Sequence, residues 1–141
     1  MTMPATIILP GILESLYDFM AFVTSHAREQ GFTAKRISEI ELAMEEVLVN
    51  IIKYAYNDCD LKGSIEITCK LADAQSLFIE IADYGIPFDI FSTPEPDLCA
   101  DIDERQIGGL GIFFVKQLMD DVRYRREDDR NKLTLVIHNT N

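Results

Sequence analysis

The chain has 141 residues, of which 48% are hydrophobic and 26% charged, so it forms one domain with a sizeable core and is not disordered in its main state. Thirteen basic residues against 24 acidic ones give a net charge of −11, which argues against a nucleic-acid backbone or an anionic membrane as partner and suits a basic protein. Cys59, Cys69 and Cys99 are odd in number and lack CxxC spacing, so they read as reduced thiols of a cytoplasmic protein. No basic leader precedes the first apolar stretch, and no run approaches the roughly 20 apolar residues of a membrane span.

Residues 5–9 (ATIIL) read as a short strand closed by Pro10-Gly11. From about 12 to 30 the period is helical, with Leu13, Leu16, Tyr17, Met20, Val23 and Ala27 on one stripe and Gly31 as the stop. A second helix is predicted from Thr33, a candidate N-cap, to about Tyr56, with Ile37, Ile40, Met44, Val47, Leu48, Ile51 and Ala55 buried. Two strands follow, about 63–72 and 76–83, joined by a short hairpin connection. Residues 84–107 hold three prolines and a run of acids and form no long element; such loops are usually functional. Gly108-Gly109 opens a helix to about 119, and strands at about 121–127 and 132–138 flank the polar turn 128–131. Hairpins argue for a mostly antiparallel or mixed sheet, and the grouping of the helices makes a two-layer α+β sandwich the economical solution.

Three short patterns could carry chemistry. Glu46 and Asn50 lie four apart on the second helix, so they share a face about 6 Å apart along its axis, which Lys53 continues. Such a pair can be a solvated polar face. It can also be a metal–nucleotide site, in which the Asn50 carbonyl oxygen is a hard neutral ligand for Mg²⁺ and Glu46 orients or deprotonates a hydroxyl. Asp83 ends a strand before Gly85 and Pro87, a common turn pattern. A buried carboxylate there could instead accept from the exocyclic amine of adenine and repel guanine, with Gly85 admitting the base and Pro87 stiffening the turn. Gly108-Gly109-Leu110-Gly111 is either a hinge or a run of backbone N–H groups at a helix start suited to phosphate, with Arg105 just before it as an ion-pair partner or a phosphate contact.

Taken in order, the stretches ELAMEEVLVNIIKYAY (41–56), DYGIPFD (83–89) and ERQIGGLGIFFVKQLMDDV (104–122) resemble the GHKL ATPase superfamily, and within it the small anti-sigma factor serine kinases of bacteria. The resemblance covers nearly the whole chain as a single domain, 1–141. It implies a two-layer α/β sandwich with a mixed, mostly antiparallel sheet and helices on one face. It implies ATP and Mg²⁺ as ligands, Glu46 as general base and Asn50 as metal ligand. Asp83 would hold the adenine amine, with Gly85 and Pro87 shaping that wall. Gly108, Gly109, Leu110 and Gly111 would surround the phosphates with Arg105 and Lys53 as cations, and Thr134 matches a threonine that in many relatives helps to hold adenine, directly or through water, while as a single threonine in a strand it reads as structural. The function implied is a serine/threonine kinase acting on a small antagonist protein and sequestering a sigma factor, with a possible homodimer through the N-terminal strand–helix region. The alternative is a nucleotide-gated binding module without kinase activity.

Overall fold

The computed structural model describes residues 4–55, 63–73, 75–92 and 107–139. Its strands are β1 (Ala5–Pro10), β2 (Ser64–Asp73), β3 (Ser76–Asp83), β4 (Asp121–Glu127) and β5 (Arg130–His138). They form one sheet in the order β1-β2-β3-β5-β4, and every pairing among the described residues is antiparallel. Alternation then decides the two faces. Three in-register rows, Ile67–Ile81–Leu133, Cys69–Ile79–Leu135 and Leu71–Leu77–Ile137, make one face apolar. The opposite face is laced with ion pairs such as Arg130–Glu66 at 2.9 Å and Arg125–Glu80 at 3.3 Å.

Three helices cover the apolar face: α1 (Leu16–Glu29), α2 (Ala34–Asn50) and α3 (Ile107–Leu118). In α1 the buried line is Phe19, Val23 and Ala27, spaced four residues apart. Tyr17 and Leu13, placed on the buried stripe by periodicity, are 80% and 52% exposed. Phe19 displaces Tyr17 because the two point about 200° apart around the helix and only the phenyl ring has no polar end to keep wet. A side chain of its size removed from water contributes about 2–3 kcal/mol. The helix stops as expected: Gly31 takes a φ of +82°, its N–H donates to Arg28 O at 3.0 Å, and the Phe32 N–H donates to Ala27 O at 3.1 Å, the paired bonds of a left-handed C-terminal stop.

Thr33 caps α2 by accepting from the Arg36 N–H at 3.2 Å. Ile37, Ile40, Met44, Val47 and Leu48 are buried as predicted. The helix does not run evenly to its end: Ile51–Ala55 forms one π-helical turn directly after Asn50. Such a widened turn is frequent at functional sites, and no sequence signal marked it. After β3, residues 84–92 hold only a 3₁₀ turn at Ile90–Ser92. Two boundaries shift. The last helix begins at Ile107, one residue before the glycines. The final hairpin turns on Asp128 and Asp129 alone, with φ of 53° and 61°, so Arg130 and Asn131 join β5.

Arg36 ties the layers together. Its guanidinium donates to Leu118 O at 3.0 Å and to Asp120 Oδ2 at 2.7 Å, and the same Asp120 oxygen accepts from the His138 N–H at 2.7 Å. One side chain thus joins the start of α2, the end of α3 and the end of β5. Charged hydrogen bonds of this kind are worth more than neutral ones, reduced here by partial exposure. Arg36→Ala is expected to lower unfolding free energy by about 1–2 kcal/mol in urea denaturation with an unchanged m-value.

Candidate functional site

The core face of the sheet ends in a row that changes character. Ile65, Asp83, Asn131 and Arg126 lie in register across β2, β3, β5 and β4. Asp83 and Asn131 are each 1% exposed, so a carboxylate sits where the rows beneath are aliphatic. Asp83 Oδ1 accepts from the Gly85 N–H at 2.9 Å and from Asn131 Nδ2 at 3.0 Å. Among the described residues no donor reaches Oδ2. Burial pushes the Asp83 carboxyl above its ordinary range, and the bonds from Asn131 and Gly85 and the nearby Arg126 charge only partly oppose it. A buried acceptor left without a donor normally costs stability, so an amine or other neutral donor fits it.

The loop after β3 is fastened to the same row. Asn131 Nδ2 also donates to Ile86 O at 2.7 Å, while Asn131 Oδ1 accepts from the Phe88 N–H at 3.1 Å and the Tyr124 hydroxyl at 2.7 Å. These bonds bracket Pro87, which is exposed and has no N–H of its own to satisfy. Arg126 donates to Gly85 O at 2.8 Å. Asn131, Tyr124 and Arg126 were not singled out from sequence. With residues 128–131 read as a four-residue turn, Asn131 falls outside the strand, and the row opposite Asp83 cannot be constructed.

The second cluster lies between α2 and α3. Glu46 is half-buried on α2, and its carboxyl is raised above the ordinary range, first by burial and then by neighbouring Glu45, with Lys53 opposing. A β-carbon at Gly111 would overlap the Glu46 carboxylate, so glycine there lets α3 lie directly on the acid. Leu42, Ala43, Phe114, Val115 and Leu118 complete a cleft of about 280 Å³ around this contact. One turn on, Asn50 is 5% exposed. Its Nδ2 donates back to Glu46 O at 2.7 Å, which orients the amide, and among the described residues no donor reaches its Oδ1. That leaves a fixed, buried, neutral oxygen, the donor type a hard cation takes. Ile107, Gly108 and Gly109 fall in the first turn of α3, where backbone N–H groups have no intrahelical acceptor and favour anions.

The expected site residues therefore separate. The structure joins Glu46 to Gly111, places Asn50 one turn away, and joins Asp83 to Gly85. Lys53 is exposed on the π-turn and acts on Glu46 through its charge. Leu110 lies in the first turn of α3, and Arg105 lies outside the described residues. Thr134 is corrected. It pairs with Glu80, and alternation puts both on the face of the sheet opposite Asp83; its side chain cannot hold a base that Asp83 holds. Cys69 is buried in the core with its thiol pushed up to about 12; Cys59 and Cys99 lie outside the described residues.

An antiparallel sheet with helices on one face, a buried Asp-x-Gly at the end of a central strand and a glutamate–asparagine pair on the long helix define the class: a two-layer sandwich with polar groups set into one end of its core. Residues 9–137 match the histidine kinase-like ATPase domain, and the chain belongs to that family. It is similar to the serine-protein kinase RsbW of Listeria monocytogenes serovar 1/2a, 29% identical over 101 residues that cover 69% of this chain and 63% of the relative. It is also similar to the serine-protein kinase RsbW of Staphylococcus aureus strain JH9, 32% identical over 101 residues with the same coverage. The match thus spans less than two thirds of these relatives' length. Among solved structures, the RsbU and RsbW domains of Rv1364c from Mycobacterium tuberculosis share the fold, with a TM-score of 0.67 and 18% identity over 96% of this chain and 32% of that one.

The raised Asp83 carboxyl carries a stability consequence. Between the ordinary and the raised value the folded chain holds a proton that the unfolded chain has lost. Stability therefore falls as pH rises through that window. Asp83→Asn keeps an Oδ1 for both donors and cannot ionise. Paired denaturation curves between pH 4 and pH 8 should show the variant gaining on the wild type as pH rises; parallel curves would mean that Asp83 does not titrate there.

Proposed function

We propose that the chain is an ATP-binding anti-sigma regulatory factor that transfers the γ-phosphoryl group of ATP to a serine or threonine hydroxyl of a small antagonist protein. The observation that carries the reading is the pair of buried acceptors that no donor among the described residues reaches, Asp83 Oδ2 and Asn50 Oδ1. They suit the two chemically distinct ends of a metal-bound nucleotide. Asp83 Oδ2 would accept from the adenine amine, with Gly85 and Pro87 shaping the wall beside it. Asn50 Oδ1 would hold Mg²⁺, which when bound supplies charge neutralisation at the phosphates.

Phosphoryl transfer asks the protein mainly for position and charge. The N–H groups of Gly108 and Gly109 would donate to phosphate oxygens along with those of Leu110 and Gly111 as the helix start adjusts, and Lys53 and Arg105 are the assigned cations. Glu46 would accept the hydroxyl proton as the oxygen–phosphorus bond forms and the β–γ bridge breaks, releasing ADP. Its raised carboxyl brings it closer to the operating pH of a general base. The names of the RsbW relatives support kinase chemistry. The net charge of −11 favours protein partners over nucleic acid, in keeping with transcription regulation through a sigma factor in the cytoplasm. Self-association through the N-terminal region is supported by β1 at the sheet edge and by exposed Ile8, Leu13 and Tyr17.

Incubation with labelled ATP, Mg²⁺ and candidate antagonist proteins tests the proposal. Glu46→Gln should lower transfer by about 100-fold or more while changing ATP affinity by less than about threefold. Tight ATP binding with no transfer to any acceptor, and partner selection unaffected by Glu46→Gln, would leave a nucleotide-gated binding module instead.

A further inference from the structure

We infer that Asn131 is the positioning residue that sets the base selectivity of this site, by occupying one oxygen of Asp83 and leaving the other as the single acceptor for an exocyclic amine. The inference rests on the proposed nucleotide site and names what makes it selective. A carboxylate offers two equivalent oxygens on a soft torsion, so by itself it is a loose reader of a base edge. Here both donors fall on Oδ1. The Gly85 N–H comes from two residues along the chain, a local turn bond that any Asp-x-Gly turn can form. The Asn131 amide comes from the neighbouring strand and ties the carboxylate to the sheet.

The orientation of that amide is itself fixed. Its Nδ2 serves Asp83 Oδ1 and Ile86 O, and its Oδ1 serves the Phe88 N–H and the Tyr124 hydroxyl, so its hydrogen-bonding capacity is filled. Flipped, it would set oxygen against two acceptors and N–H groups against the Phe88 donor. Asp83 Oδ2 is then the one oxygen left to face a ligand. Adenine brings a donor to it. Guanine brings its O6, acceptor against acceptor, and purine without the 6-amino group brings nothing.

Equilibrium binding of ATP, and of purine riboside 5′-triphosphate as the analogue lacking the amine, with Mg²⁺ present, tests this on the full chain. The wild type should prefer ATP by about 10- to 100-fold, the worth of a charged hydrogen bond. Asn131→Ala should shrink that preference to below about threefold, and the loss should fall mainly on ATP, whereas a merely structural role would weaken both ligands equally. If the wild type shows no preference, the adenine reading of Asp83 fails and takes this inference with it. If the wild type discriminates and Asn131→Ala discriminates equally, the nucleotide site stands and the role of Asn131 is overturned. Should Asn131→Ala not fold, nitrogen-15 NMR of the wild type decides. The Asn131 side-chain amide should shift with ATP and not with the analogue, and equal shifts with both overturn the inference.

Discussion

A carboxylate buried at the end of the central strand is the constraint on which the rest of the site depends. Stripping such a group of water costs several kcal/mol unless hydrogen bonds replace it. Here replacement is incomplete: among the described residues two donors converge on one oxygen of Asp83 and none on the other. The fold meets part of the cost through register. Because β3 and β5 pair Asp83 with Asn131, the amide arrives from a rigid strand, and the loop after β3 is sewn to that amide at Ile86 and Phe88. What the protein leaves unpaired is the part a ligand can complete, the usual exchange of stability for function.

At the other end of the site the determining fact is steric. Helices whose side chains interdigitate lie 8–10 Å apart as a general rule, and a side chain at the facing position ordinarily stands between an acid on one and the backbone of the other. Gly111 removes the obstacle, so α3 rests on Glu46 itself. The arrangement couples the acid to the helix whose first-turn N–H groups have no intrahelical acceptor. Any movement of the start of α3 changes the surroundings of Glu46 at the same time, and its burial with them. The π-turn after Asn50 adds a second irregularity at the same level of the molecule, one turn from the glutamate.

Most of the architecture was legible because its signals are local and redundant. Alternation in 63–72 and 76–83, Thr33 before a helical period and Gly31 after one all held. The placing of the motif residues was legible too: Glu46 and Asn50 lie one turn apart on the second helix and Asp83 ends a strand. Thr134 shows the limit. Its place in a strand was right, but a side chain's face depends on register, and register follows from turn length. With the turn read as four residues, neither the exclusion of Thr134 nor the arrival of Asn131 beside Asp83 could be worked out. Tyr17 failed for a related reason. Periodicity gives a stripe about 100° wide, and only packing decides how far it is rotated, here toward Phe19 and away from Tyr17.

The tight Asp128–Asp129 reversal has a consequence for how relatives of this chain can diverge. Both residues hold positive φ, a geometry that aspartate tolerates and glycine or asparagine would adopt more readily, so composition there can drift among those residues. Its length is not. Inserting or deleting one residue would slide β5 by one position against β4, or, if that pairing held, against β3. Either way, every side chain of one pairing would change sides. The hairpin works as a reading frame for the sheet, open to glycine or asparagine in place of either aspartate and intolerant of indels.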